Sequence, residues 1–119
     1  MTNTIIPSKN DLLLVNTRRR TVLQIKQIIM LEGDGNYTIF HLQGGQKRIF
    51  AHCLYTYEAK LQPYGFIRIH KGYIINKSLI DKVLYPNHQI MMYDNIVVPI
   101  SRRRLRTKTL KQFLDFPVN

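Results

Sequence analysis

The chain has 119 residues, enough for one domain with one modest core. Its hydrophobic content of 45% is that of a globular protein, no apolar run approaches the roughly 20 residues that span a bilayer, and the single Cys53 excludes an internal disulfide and a multi-cysteine metal site. Lys and Arg total 18 against 7 acidic residues, and the resulting net charge of +11 points to a polyanion: DNA, RNA or an anionic membrane surface.

Residues 1–10 are polar with Pro7, carry no secretory pattern and suit a frayed end, so a cytoplasmic protein is expected. Leu12 to Val15 is a candidate first strand, and Asn16 to Arg20 a polar, basic turn. Thr21 to Leu31 is apolar and rich in β-branched residues, which predicts one or two strands. Gly33-Asp34-Gly35-Asn36 is a loop signal, Tyr37 to Leu42 is strand-like, and Gly44-Gly45 suits a hairpin turn into Lys47 to Ala51. Leu54, Tyr57, Glu58 and Leu61 recur at helical spacing, so a short helix is predicted there, ended by Pro63 and Gly65.

Phe66 to His70 alternates as a strand, with Ile67 and Ile69 on one side and Arg68 and His70 on the other. Tyr73 to Asn76, Ser78 to Tyr85, Gln89 to Tyr93 and Ile96 to Ile100 follow as strands, separated by turns at Pro86-Asn87 and Asp94-Asn95. Pro99 favours an edge position. A last helix is predicted over Arg102 to Leu114, with Leu105, Leu110, Phe113 and Leu114 on its apolar face and Arg104, Lys108 and Lys111 opposite. Arg102, Arg103 and Arg106 project from the apolar side and stay solvated only beyond the end of the core. A helix start is already electropositive, so these cations there suggest an anionic partner.

Enzymatic readings find little support. Glu32 and Asp34 are the only acids close in sequence, and a two-metal nuclease normally needs more carboxylates. The histidines His41, His52, His70 and His88 form no ligand pattern, Cys53 has no Cys-x-x-Cys partner, and no phosphate-binding glycine loop is present. No catalytic residue, metal or cofactor is expected. The binding reading is stronger. Basic residues concentrate in Arg18 to Arg20, in Arg68-His70-Lys71 and in Arg102 to Lys111. Asn36 suits a base edge, and Lys71 and Arg103 suit guanine O6 and N7, with their cationic neighbours on phosphates. Arg18 to Arg20 is either a solvated hairpin tip or a contact. Arg68 and His70 are either backbone contacts or a structural pair on a strand face beside an acid.

Three segments carry a resemblance: Glu32 to Thr38, Phe66 to Asn76, and Val98-Pro99-Ile100-Ser101-Arg102-Arg103. In this order and separation they resemble the LytTR family of bacterial DNA-binding domains, from about Thr21 to Leu114. The resemblance implies a mainly β, elongated antiparallel sandwich of small stacked sheets with two short helices, spanning residues 21–115 after an N-terminal segment of residues 1–20. It implies that loops enter the major groove, with base contacts matching Asn36 or Tyr37, Lys71 and Arg103, and backbone contacts at Ser101, Arg102 and Arg104. Family members often carry Ser where Gly72 stands, so no hydroxyl–phosphate contact is expected there. Many also carry a receiver domain, and about 20 residues before the match are too few for one, so a stand-alone module is expected.

The expected function is sequence-specific binding of double-stranded DNA in transcription regulation, with two molecules on paired repeats forming a weak homodimer on the DNA. The alternatives are an RNA-binding β module, which needs exposed aromatics from among Tyr37, Tyr55, Tyr57, Tyr73, Tyr85 and Tyr93, and a metal-dependent nuclease using Glu32 and Asp34.

Overall fold

In the computed structural model, residues 11–16, 18–84 and 87–105 are described. Among them the chain forms ten strands in three antiparallel sheets and two short helices, a mainly β fold as expected. The five-stranded sheet is the middle layer. Its order is β5 (Lys47–Ala51), β4 (Tyr37–Leu42), β3 (Ile28–Asp34), β7 (Tyr73–Asn76), β6 (Phe66–His70). One face is covered by the hairpin of β1 (Leu12–Asn16) and β2 (Thr21–Gln24) together with helix α1 (Leu54–Leu61). The other face is covered by a three-stranded sheet ordered β10 (Val97–Pro99), β9 (Gln89–Met92), β8 (Ile80–Leu84), and by helix α2 (Arg102–Leu105).

This layering explains why β3 is apolar without alternation. A strand covered on both faces buries every side chain. Ile28 and Leu31 enter the core under α1, and Ile29 and Met30 enter the opposite one. Two successive residues share a face because the register with β4 shifts between Ile28 and Met30. Phe40 is the hub of the α1-side core, with edge-on contacts to Phe50 (5.6 Å between centroids) and Tyr57 (4.9 Å). Tyr57 donates its hydroxyl to the Ala51 carbonyl, and burial pushes its ionisation above the ordinary phenol value.

Asn76 is a buried polar residue that joins two elements. Its Nδ2 donates to the Ile28 carbonyl at 2.9 Å, and its Oδ1 accepts the Ser78 amide at 3.0 Å. The second bond caps a 3-10 turn over Lys77–Leu79, so the eighth strand starts at Ile80 and not at Ser78 as predicted. Asn76→Ala removes both bonds inside the fold and is expected to cost about 1–3 kcal/mol in urea unfolding. A loss within error of zero would show that the turn is held by other contacts.

Other boundaries differ for similar reasons. Strand β3 runs on through Gly33 and Asp34, because the Gly33 amide has an acceptor across the sheet, which leaves only Gly35-Asn36 as turn. Tyr93 turns out of its predicted strand into a 3-10 turn with Asp94 and Asn95, both at positive φ (65° and 61°). Pro99 does lie on an edge strand. Residues 1–10, and the predicted last helix beyond Leu105, lie outside the described residues.

Candidate nucleic-acid interface

The geometry of the middle sheet gathers distant segments at one end. Strand β3 ends in the turn Gly35-Asn36, and Gly35 takes φ 61° at the first central position, where a tight hairpin turn of the primed class needs it. Strand β7 pairs antiparallel to β3, with Glu32 opposite Tyr73, so the Lys71-Gly72 turn comes to the same end. The Gly33 amide donates to the Gly72 carbonyl at 2.9 Å, one step beyond the regular ladder, and ties the two turns together. Tyr37 lies opposite Ala51, which brings the corner between β5 and α1 there as well, and the Thr38 hydroxyl donates to the His52 carbonyl at 2.9 Å. Asn36 and Lys71 are exposed, and Tyr37 is 55% exposed.

The third segment docks onto the second. After β10 the Ile100 amide donates to the His88 carbonyl at 2.8 Å, and the Ser101 amide donates to the Ile69 carbonyl at 2.9 Å. Ser101 is the N-cap of α2: its Oγ accepts the Arg104 amide at 3.0 Å and its carbonyl accepts the Leu105 amide at 2.9 Å. Leu105 packs against the core, Arg102 and Arg103 are exposed, and Arg104 is half-buried. Arg104 thus differs from the solvated position predicted for it. It turns toward an open cleft of about 510 Å³ whose walls are His70, Lys71, Ser101, Arg103 and Arg104.

His70 also departs from its predicted side. The register between β6 and β7 shifts between Arg68 and His70, so that Arg68 pairs with Ile74 and His70 with Tyr73. Paired residues share a face, and Ile74 and Tyr73 belong to opposite cores. The bulge therefore leaves Arg68 on the α1 side and turns His70 into the cleft, a common use of bulges. The His70 ring lies 5.3 Å from that of Tyr73, and its Nδ1 accepts the Gly72 amide at 3.1 Å, which leaves Nε2 as the donor of the neutral ring. Arg68 is engaged from several sides. Its Nη1 donates to Glu58 Oε1 at 3.0 Å, Nε to the His70 carbonyl at 3.3 Å, and Nη2 to the Lys71 carbonyl.

Asn36, Tyr37, Lys71, His70, Ser101, Arg102, Arg103 and Arg104 thus share one end of the molecule. Arg18, Arg19 and Arg20 form the exposed tip of the β1–β2 hairpin. Glu32 is half-buried, and its Oε1 accepts from His41 Nε2 at 2.9 Å. Among the described residues no group of three or more His, Cys, Asp or Glu is placed to hold a metal ion. Sequence reasoning missed the β5–α1 corner. His52 is exposed there with φ 83°, a conformation that no glycine signalled. Cys53 is the exposed N-cap of α1, and the Thr56 side chain and amide beside it lower its thiol below the usual value. Glu58 shares the helical spacing of Leu54, Tyr57 and Leu61, yet those three are buried while Glu58 is held at the rim by Arg68.

A mainly β domain with a net charge of +11 and exposed cations on separate turns at one end suits a polyanionic partner. The LytTr DNA-binding domain profile matches residues 18–115, and the chain belongs to that family. A solved LytTr DNA-binding domain from Bacillus cereus has the same fold, with a TM-score of 0.70 at 19% identity, over 88% of this chain and 97% of that one. No curated protein matches the chain. The family is one of DNA-binding domains and not of enzymes, and no helix among the described residues is long and apolar enough to cross a membrane.

Proposed function

We propose that this DNA-binding protein is a transcription regulator that recognises specific duplex sequences through the turns at one end of its middle sheet. The observation that supports this best is the pair of backbone bonds, Gly33 to Gly72 and Ser101 to Ile69, that join three segments far apart in sequence. Rigid joints between turns give a fixed spacing of side chains, and base reading requires fixed spacing. Asn36, Tyr37, Lys71 and Arg103 contact bases in the major groove, and His70, Ser101, Arg102 and Arg104 contact the backbone. Separated contacts on one face reward bending of the duplex, and two molecules bind paired repeats. The net charge of +11 supplies the sequence-independent attraction. The protein works in the cytoplasm.

Selection from random duplex DNA, read by sequencing, tests this directly. A recurring motif, repeated at one or a few spacings, is expected. Single-stranded RNA is the competitor that matters, because Tyr37, Tyr55 and Tyr93 are 51–72% exposed and could stack on bases. If RNA of random sequence displaces the selected duplex at equal length, the DNA reading is wrong and the stacking one replaces it.

A further inference from the structure

We propose that Arg68 is a positioning residue that clamps the Lys71 turn through Glu58, and that it is not a DNA contact; the inference rests on the DNA-reading role of Lys71. A guanidinium offers five N–H donors in one rigid plane. In Arg68 three of those five donors are engaged inside the protein. One arm goes to the Glu58 carboxylate of α1, and two donors go to the carbonyls of His70 and Lys71, the residues that open the turn. Its side chain is only 17% exposed, whereas Lys71 and Arg103 are exposed and make no side-chain hydrogen bond among the described residues. Turning the guanidinium out to a phosphate would break its bonds to the Glu58 carboxylate and two carbonyls, a poor exchange for a partly buried charge.

The clamp reaches beyond its own turn. The Lys71 turn ends in Gly72, whose carbonyl accepts the Gly33 amide of β3 and whose amide donates to His70. Gly33 in turn lies against Leu54 of α1, since a Cβ there would stand 3.6 Å from the Leu54 side chain. Arg68 and Glu58 thus close a circuit through α1, the β6–β7 turn and the β3–β4 hairpin. Holding this circuit sets the separation of Asn36 from Lys71, and hence which bases they can address together.

Two substitutions separate the clamp from a phosphate contact. Glu58→Ala removes a negative charge, so Coulomb attraction alone would strengthen binding to any duplex. A clamp predicts the opposite for the selected duplex: its preference over random duplex falls about tenfold. Arg68→Gln removes the guanidinium and its charge, and the same tenfold loss of preference is expected. The slope of log affinity against log salt stays at its wild-type value, where loss of one phosphate contact would reduce it by about 0.9. Amide hydrogen exchange, read residue by residue, is the arm that needs no DNA. Gly33 and Gly72 are expected to exchange about tenfold faster in both variants while Leu31 keeps its rate, which shows an intact fold. Unchanged exchange at Gly33 and Gly72 overturns the clamp, and a reduced salt slope in Arg68→Gln makes Arg68 a DNA contact. If the wild type itself fails to discriminate between duplexes, the DNA-reading role of Lys71 falls while the exchange arm still decides the clamp.

Discussion

Arg103→Ala is expected to reduce the preference for the selected duplex over random duplex by about 1–3 kcal/mol, roughly 5- to 150-fold. The residue is exposed at the first turn of α2, and its backbone is fixed by Ser101, which caps the helix and is bonded to β6. An arginine presented from a fixed backbone can meet guanine O6 and N7 with two parallel donors, and that pairing is lost with any other base. Titrations of both duplexes at one salt concentration measure the effect. Equal losses on the two would make Arg103 a phosphate contact, and the base-reading role would then pass to Lys71 and Asn36. Arg102→Ala is the internal comparison, because a neighbouring phosphate contact should weaken both duplexes alike and lower the salt slope.

The largest stability effect is expected from Phe40→Ala, about 3–5 kcal/mol. Phe40 has no solvent exposure, and its ring joins Phe50 of β5 to Tyr57 of α1. Deleting it leaves a cavity that three rigid elements cannot close, and the transfer term and the cavity term add. Domains of this size are stable by about 5–15 kcal/mol, so the variant should sit near its unfolding threshold. Ile49→Ala, on the adjoining edge strand β5 and 63% exposed, should change stability by no more than about 0.5 kcal/mol. Similar losses for both variants in urea unfolding would mean that the core under α1 is not the cooperative centre of the fold. The two predictions are linked, because α1 also carries Glu58, so a fold loosened at Phe40 should lose DNA discrimination before it loses its sheets.

Much of the architecture was legible because it follows local rules. Leu54, Tyr57 and Leu61 repeat at helical spacing, and the helix ends where Pro63 and Gly65 require it, with Gly65 at φ 85°. Gly44-Gly45 joins two strand-like runs, and both take positive φ in the hairpin turn. Ser101 before an arginine run predicted a helix start, and it is an N-cap. The three segments that resemble the family lie together at one end of the sheet.

What could not be read was pairing at a distance. The bulge that moves His70 into the cleft depends on how β6 registers with β7, and alternation along β6 alone places His70 on the wrong face. Glu58 and Arg68 come from a helix and a strand, and nothing in either segment names the other. The 3-10 turn after Asn76 exists because a buried amide reaches the Ile28 carbonyl of another strand.

By itself, then, the sequence determined that the chain is mainly β, strongly basic, ended by an arginine-rich helix start, and equipped with three separated segments suited to DNA. Periodicity, turn residues and net charge are local or additive properties, and they survive being read one window at a time. Only the tertiary structure decided which cations are free to act. It buried the Arg68 fork against Glu58 and left Lys71 and Arg103 exposed, because the energy of a charged group is set by the partners that folding brings to it.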